Sequence, residues 1–265
     1  MSYQAISYQK RGHIGYITLN RPEVANAISI QMAIELEGVC QRINQDEDAR
    51  VVIISGSGEE SFCCGEDLSQ ICGPASDELP SLTELKEFTL RYNVGAMIAG
   101  IHCPVIAAIN GDASGTGLAL AMSSDLRIAS DRALFDIPDV ARGCLLANGI
   151  TQVLPRIVGR GKAMELILTA EHIDAGEAKR IGLIHRVVPH QEVSTEADKL
   201  AGDIARGAPI ALRYAKEVIN KGMDLTLEQG LRMECDLYMV LQTTRDRTEG
   251  IMAFREKRQP LFRGE

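Results

Sequence analysis

Apolar positions along the chain fall into short continuous runs and longer helical stripes. Arg50-Val-Val-Ile-Ile-Ser55 and Pro104-Val-Ile-Ala-Ala-Ile109 are uninterrupted β-branched and small apolar runs, the pattern of strands covered on both faces. His13 to Leu19 is a further strand pattern, closed by the turn-like Asn20-Arg21-Pro22, and Leu126 to Ala129 and Leu183 to Val188 read as two more. Between them the period changes. Ser29 stands as a cap before Met32, Leu36, Val39, Cys40 and Ile43 at helical spacing. Leu82 to Ala99 is predicted as a helix with Leu85, Phe88, Tyr92 and Ala96 on one face, and Ser69 to Ser81, with Gly73, Pro74 and Pro80, as a loop. From about Gln191 no strand pattern appears. Ala208 to Lys221 and Thr226 to Thr244 read as amphipathic helices, and Thr226 with Gln229 forms a capping box. Alternating β and α followed by helices alone predicts an α/β fold with parallel strands and a helical carboxy-terminal part.

Composition narrows the function classes. A chain of 265 residues that is 45% hydrophobic can bury a large core. The formal charge of −8, from 28 basic and 36 acidic residues with no basic block, argues against nucleic acid and anionic membranes. The start, MSYQAISYQKRGH, has no apolar signal core, and no later run is long enough to span a bilayer, so a cytoplasmic protein is expected. Seven cysteines are present, Cys63 and Cys64 adjacent, without CxxC or HExxH spacing. They read as small buried hydrophobes in a reducing compartment, with no metal site.

The chemistry concentrates in two glycine-bearing loops. "NGDASGTGLALAMSSDL", residues 110–126, follows the Pro104 to Ile109 strand and opens a helix, with Asp125 as the first charge after the glycines, inside that helix. No lysine follows for a phosphate loop, and the third glycine of a dinucleotide fingerprint is missing; Gly56-Ser57-Gly58 fails likewise. Two readings remain: glycines that let a strand turn into a closely packed helix, or glycines that aim amide N–H groups outward at an anion. A second loop, "GSGEESFCCGEDL", residues 56–68, follows the Val51 strand. Two parallel strands would each bring such a turn to the carboxyl edge of one sheet, where two amides can meet on one developing oxyanion.

At this point the chain resembles the enoyl-CoA hydratase/isomerase, or crotonase, family. The resemblance is carried in order by "ITLNRPEVANAIS", "SFCCGEDL", "CPVIAAINGDASGTGLALAMSSDLRIAS", "ALFDIPDVARG", "LPRIVGRGKAMELILTAEHIDAGEAKRIGLIHRVVP" and "DRTEGIMAFREKRQPLF", nearly the whole chain. It implies a crotonase-like core of ββα superhelix over residues 1–190 and a helical oligomerisation or lid region over 191–265. It also implies an acyl-CoA thioester substrate, with coenzyme A as part of the substrate and no separate cofactor, and homo-oligomers that are trimers or dimers of trimers. The reaction implied is enoyl-CoA hydration/dehydration or double-bond isomerisation. A thioester hydrolase, a decarboxylase, a carbon–carbon lyase or a non-catalytic acyl-CoA-binding relative are the alternatives on the same fold.

Residue by residue, the resemblance places the two oxyanion amides at Glu66 and Thr116. The family usually has glycine at the second position, and a threonine there narrows the approach and disfavours positive φ. The family's hydratases carry two glutamates; here the first position is Ala119 and the second is Asp139, shorter by one methylene, roughly 1.5 Å. One carboxylate suffices to shuttle a proton between carbons. For water addition, Asp112, Asp136 and the Glu66 side chain are further candidates, although Asp112 and Asp136 read as loop acids or caps. Asp139, Glu66 and Thr116 are thus the catalytic candidates. An acid used by some isomerases falls at Ala147, while neighbouring Asn148 has the chemistry to orient water. For CoA, the resemblance marks Val24, Ala25, Cys64, Gly65, Glu66, Asp67, Leu68, Gly115 and Thr116, with Asp67 read as a structural cap. Phe254 and Lys257 correspond to a pair that reaches a neighbouring subunit's CoA. The five histidines match no catalytic position of the family.

Overall fold

The computed structural model describes residues 3–67, 93–144 and 146–265. The expected loop Ser69 to Ser81, most of the expected helix Leu82 to Ala99, and Leu68 and Cys72 lie outside the described residues. Within them the apolar runs form one central sheet. Strands β1 (Ile6–Arg11) and β2 (Ile14–Leu19) make an antiparallel hairpin that turns at Gly12, whose φ is +56°. Strand β3 (Val51–Gly56) pairs parallel to β2. Next to it, β5 (Val105–Ile109), β7 (Leu126–Ser130) and β10 (Arg186–Val188) continue the parallel ladder in the order β1-β2-β3-β5-β7-β10.

Burial on both faces explains why these runs lack polar alternation. Val52, Ile54, Val105, Ala107 and Ile109 point into the larger core, with Met32, Leu36, Val39 and Ile43 of helix α1 (Ile30–Gln45). Val51, Ile53, Ile106, Ala108 and Ile128 point the other way and are covered by Val193, Ala197 and Ala201 of helix α7 (Val193–Ala205). Helix α1 starts as its sequence predicts, with Ser29 Oγ accepting from the Met32 amide at 3.1 Å.

A second, smaller sheet lies over the carboxyl edge of the first. Strands β4 (Ser61–Cys63), β6 (Asp112–Ser114) and β8 (Leu134–Asp136) run parallel, and β9 (Ile173–Asp174) closes the edge antiparallel to β8. Each of β3, β5 and β7 therefore hands its chain to a short strand of the second sheet in the same spatial order. Helices α2 (Val94–Ala99) and α3 (Thr116–Met122) follow two of these steps, and every residue of α3 is buried. Helices α4 (Ile150–Val158), α5 (Arg160–Thr169) and α6 (Ala175–Arg180) come before β10.

Beyond α7, helices α8 (Pro209–Gly222), α9 (Leu227–Leu241) and α10 (Arg245–Glu256) complete the chain, and both bonds of the Thr226/Gln229 capping box are present. Helix α9 buries none of its residues and leaves Leu227, Leu231, Tyr238 and Met239 exposed. No helix among the described residues is long and apolar enough to cross a membrane.

Two expectations need correction. Asp125 lies beyond α3, where its carboxylate accepts from the Val105 amide at 2.7 Å and pairs with Lys216 Nζ at 2.8 Å. The cysteines are not uniformly buried: Cys40, Cys63 and Cys103 are, but Cys64 is half-buried and Cys144 and Cys235 are exposed. All six described cysteines are free.

Candidate active site

The first loop is stitched to the segment before α1. The Cys64 amide donates to the Ala25 carbonyl at 3.0 Å, Ile28 to the Gly65 carbonyl at 2.8 Å, and Asp67 to the Ile28 carbonyl at 3.0 Å. Gly65 holds φ of +97°, open to glycine and strained for other residues. Because the Gly65 carbonyl is committed to Ile28 and the peptide is trans, the Glu66 N–H on the same peptide points the opposite way. The second loop runs beside this peptide. A Cβ on Gly65 would stand 3.1 Å from the Ser114 carbonyl oxygen and 3.5 Å from the Thr116 nitrogen.

Thr116 is the first residue of α3, so its N–H has no acceptor within the helix. Among the described residues neither the Glu66 nor the Thr116 amide donates a hydrogen bond. The expected conflict of threonine with positive φ does not arise, because Gly115, one residue earlier, takes it at +49° while Thr116 is helical. At Gly117 a Cβ would overlap the Cys63 carbonyl oxygen, so α3 rests directly on β4 through bare backbone. The Cys63 thiol beneath this contact is pushed up to about 12 by burial and stays a neutral packing group.

Two carboxyl groups border the two amides. Asp139 follows Pro138 and opens the turn Val140–Arg142, with its own carbonyl accepting from Arg142 at 3.0 Å and Cys144 at 2.9 Å. Its Oδ2 is buried, lies 3.2 Å from where a Gly115 Cβ would stand, and has no hydrogen-bond partner among the described residues. Glu66, half-buried, turns its side chain back over α3: Oε1 accepts from Thr116 Oγ1 at 3.1 Å and from Asn148 Nδ2 at 3.2 Å. Asn148 Nδ2 also donates to Thr116 Oγ1 at 3.3 Å. Burial and then the charge of Asp139 raise the Glu66 carboxyl above its ordinary value, against the hydrogen bonds from Thr116 and Asn148.

Other candidates are occupied elsewhere. Ala119 is a buried apolar residue of α3. Asp112 Oδ1 accepts from the Leu134 amide at 2.9 Å, Asp136 sits 3.5 Å from His172, and Asp67 pairs with Arg21 at 2.9 Å. Among the other histidines, His13 pairs with Asp48 and His185 accepts from the Arg127 amide.

The structure brings Val24, Ala25, Cys64, Gly65, Glu66, Asp67, Gly115 and Thr116 together around the paired loops, with Ser61 Oγ and Cys64 Sγ donating to the Ala25 and Val24 carbonyls. Phe254 and Lys257 stand apart at the end of α10. Phe254, 85% exposed, lines a cavity with Tyr238, Leu241 and Phe262, and among the described residues none lining it comes from the paired loops. Sequence reasoning named Glu66, Thr116 and Asn148 separately but missed that they form one hydrogen-bonded group. The available signal was two departures from the family pattern in loops that the same pattern brings into contact.

Known proteins resemble this chain in sequence and fold. The family model for enoyl-CoA hydratase/isomerase matches residues 9–265. A crotonyl-CoA hydratase of Syntrophomonas wolfei is 37% identical over 263 residues, 99% of each chain. An (E)-benzylidenesuccinyl-CoA hydratase of Thauera aromatica is 37% identical over 262 residues, 98% of this chain and 99% of its own. The crystal structure of an enoyl-CoA hydratase from Bacillus anthracis superposes with a TM-score of 0.93 at 38% identity, covering 99% of this chain and all of that one. With the two-sheet core, the order of the loops and the sequence matches in agreement from end to end, the chain belongs to the enoyl-CoA hydratase/isomerase family and is an enzyme of that kind.

Proposed function

We propose that the protein adds water to, or removes it from, an enoyl-CoA thioester through an enolate whose oxygen is held by the Glu66 and Thr116 amides. Double-bond isomerisation through the same enolate is the second reading, because it needs only Asp139. The observation that carries the proposal is the pair of amides from separate loops, each without an acceptor among the described residues, held together where Gly65 passes Ser114 and Thr116. Donors fixed before the reaction stabilise charge as it develops on the thioester oxygen, without reorganising at that moment. Asp139 Oδ2, buried, without a donor among the described residues and beside Gly115, serves as the proton acceptor. Coenzyme A enters as part of the substrate, and no other cofactor is invoked. Free cysteines agree with a reducing cytoplasm.

Helix α9, amphipathic with Leu227, Leu231, Tyr238 and Met239 exposed, supports assembly into trimers or dimers of trimers, with Phe254 and Lys257 offered to a neighbour's CoA. Sedimentation should give a mass at least three times 28.8 kDa; a stable monomer at micromolar concentration refutes that assembly.

Thr116 supplies the test of the chemistry. Proline is compatible with the first position of a helix, where it removes only an N–H that the helix does not use. Thr116→Ala and Thr116→Pro both lose Oγ1, so their ratio isolates the amide. With crotonyl-CoA, loss of the conjugated thioester should be on the order of 100-fold slower in Thr116→Pro than in Thr116→Ala. Equal rates in the two variants refute the amide's role, and release of free thiol in place of hydration points to a thioester hydrolase.

A further inference from the structure

Helix α3 brings no acid to the paired amides, since Ala119 is apolar and buried. A second carboxyl group reaches them from the other loop. Glu66 places Oε1 under two neutral donors, Thr116 Oγ1 and Asn148 Nδ2, and leaves Oε2 without a described partner. One carboxyl oxygen is thus fixed by two donors, and the other is left to exchange a proton. Asp139 is the titratable group acting on it, while Thr116 and Asn148 are neutral. A second carboxyl charge nearby disfavours the ionised form of Glu66. Burial acts in the same direction, and both raise the Glu66 carboxyl above its ordinary value.

We propose that Glu66 is the second carboxyl group of the reaction, the proton donor that complements Asp139 as proton acceptor, carried on the β4 loop instead of α3. The proposal rests on the acyl-CoA reading above. In hydration, Asp139 takes a proton from water as the water oxygen bonds to the β-carbon. The double-bond pair moves toward the thioester and leaves the enolate oxygen on the two amides. The enolate then collapses, and its α-carbon takes the proton from Glu66 Oε2. Asp139 ends protonated and Glu66 ionised, and solvent exchange returns the proton. Thr116 and Asn148 are positioning residues that hold Oε1 and so aim Oε2.

The test uses the full-length enzyme with crotonyl-CoA, comparing wild type with Glu66→Gln and Glu66→Asp. Glu66→Gln conserves size and both hydrogen bonds at Oε1. Its turnover should fall on the order of 100-fold or more, with CoA affinity unchanged within twofold. The wild-type pH profile should have an alkaline limb, activity falling as pH rises through the donor Glu66, whose carboxyl is raised by burial and the Asp139 charge. The alkaline limb should vanish in Glu66→Gln and persist, shifted, in Glu66→Asp, which regains part of the rate. A Glu66→Gln rate within threefold of wild type, or an alkaline limb that survives in it, overturns the proposal. If Glu66→Gln no longer binds CoA, Glu66→Asp decides, because an unmoved alkaline limb there overturns the proposal equally. Wild-type enzyme inactive on every enoyl-CoA refutes the acyl-CoA reading and this proposal with it, whereas active wild type with active Glu66→Gln refutes this proposal alone.

Discussion

Adding one methyl group at Gly117 should damage stability and turnover together. A Cβ there would overlap the Cys63 carbonyl oxygen and stand 2.8 Å from both the Cys63 carbonyl carbon and Cβ. Ordinary carbon contacts lie near 3.5–4 Å, so α3 and β4 must separate by about 1 Å. Overpacking against backbone costs about 1–3 kcal/mol, and the better helix propensity of alanine returns up to about 1 kcal/mol. A net loss of about 1–2 kcal/mol lowers Tm by roughly 2–8 °C in a chain of this size.

Turnover should suffer more, because Thr116 and Cys63 flank the contact and carry the two loops whose amides meet. A shift of about 1 Å takes an N–H···O bond out of range and costs on the order of 100-fold. Crotonyl-CoA hydration and calorimetry measure the two effects in Gly117→Ala. Gly202→Ala is the control. It lies within α7 with nothing within 4 Å of its would-be Cβ, and should raise stability by about 0.5–1 kcal/mol without touching turnover. If Gly117→Ala keeps wild-type Tm and turnover, the direct seating of α3 on β4 is not what sets the spacing of the amides.

Asp139→Asn conserves volume but removes the proton acceptor, so turnover should fall by about 100-fold or more while calorimetry shows CoA affinity within twofold of wild type; wild-type turnover moves the acceptor elsewhere. Lys216→Met breaks the pair with Asp125 and the contact with the Cys103 carbonyl, at a lysine side chain only 8% exposed. It should cost about 2 kcal/mol in unfolding, with activity per folded molecule preserved, and an unchanged Tm refutes it. Lys257→Ala should weaken CoA binding by about tenfold, the worth of one charge-assisted phosphate contact, with Tm unchanged; equal affinity removes Lys257 from the site.

What the sequence showed and what it hid have separate physical causes. The central strands were legible because Val51 and Ile53 feed one core while Val52 and Ile54 feed another, which leaves no polar face to interrupt the run. The second sheet was not, since strands of two or three residues are shorter than any period, and Asp112 and Asp136 within them are polar. At the site, ordered glycines exposed both loops, yet the positive φ fell one residue from the expected place, a displacement that composition does not encode. The relation of the acids was hidden most deeply. Glu66 meets Thr116 across 50 residues and Asn148 across 82, so each looked like an isolated departure from the family pattern. Folded, the departures compensate. Ala119 offers no acid, the Glu66 side chain comes from the facing loop, and Thr116, where the resemblance expects glycine, gives that carboxyl a donor. Residues that break a local rule singly, and satisfy one another when folded, are the ones on which the proposed proton donor rests.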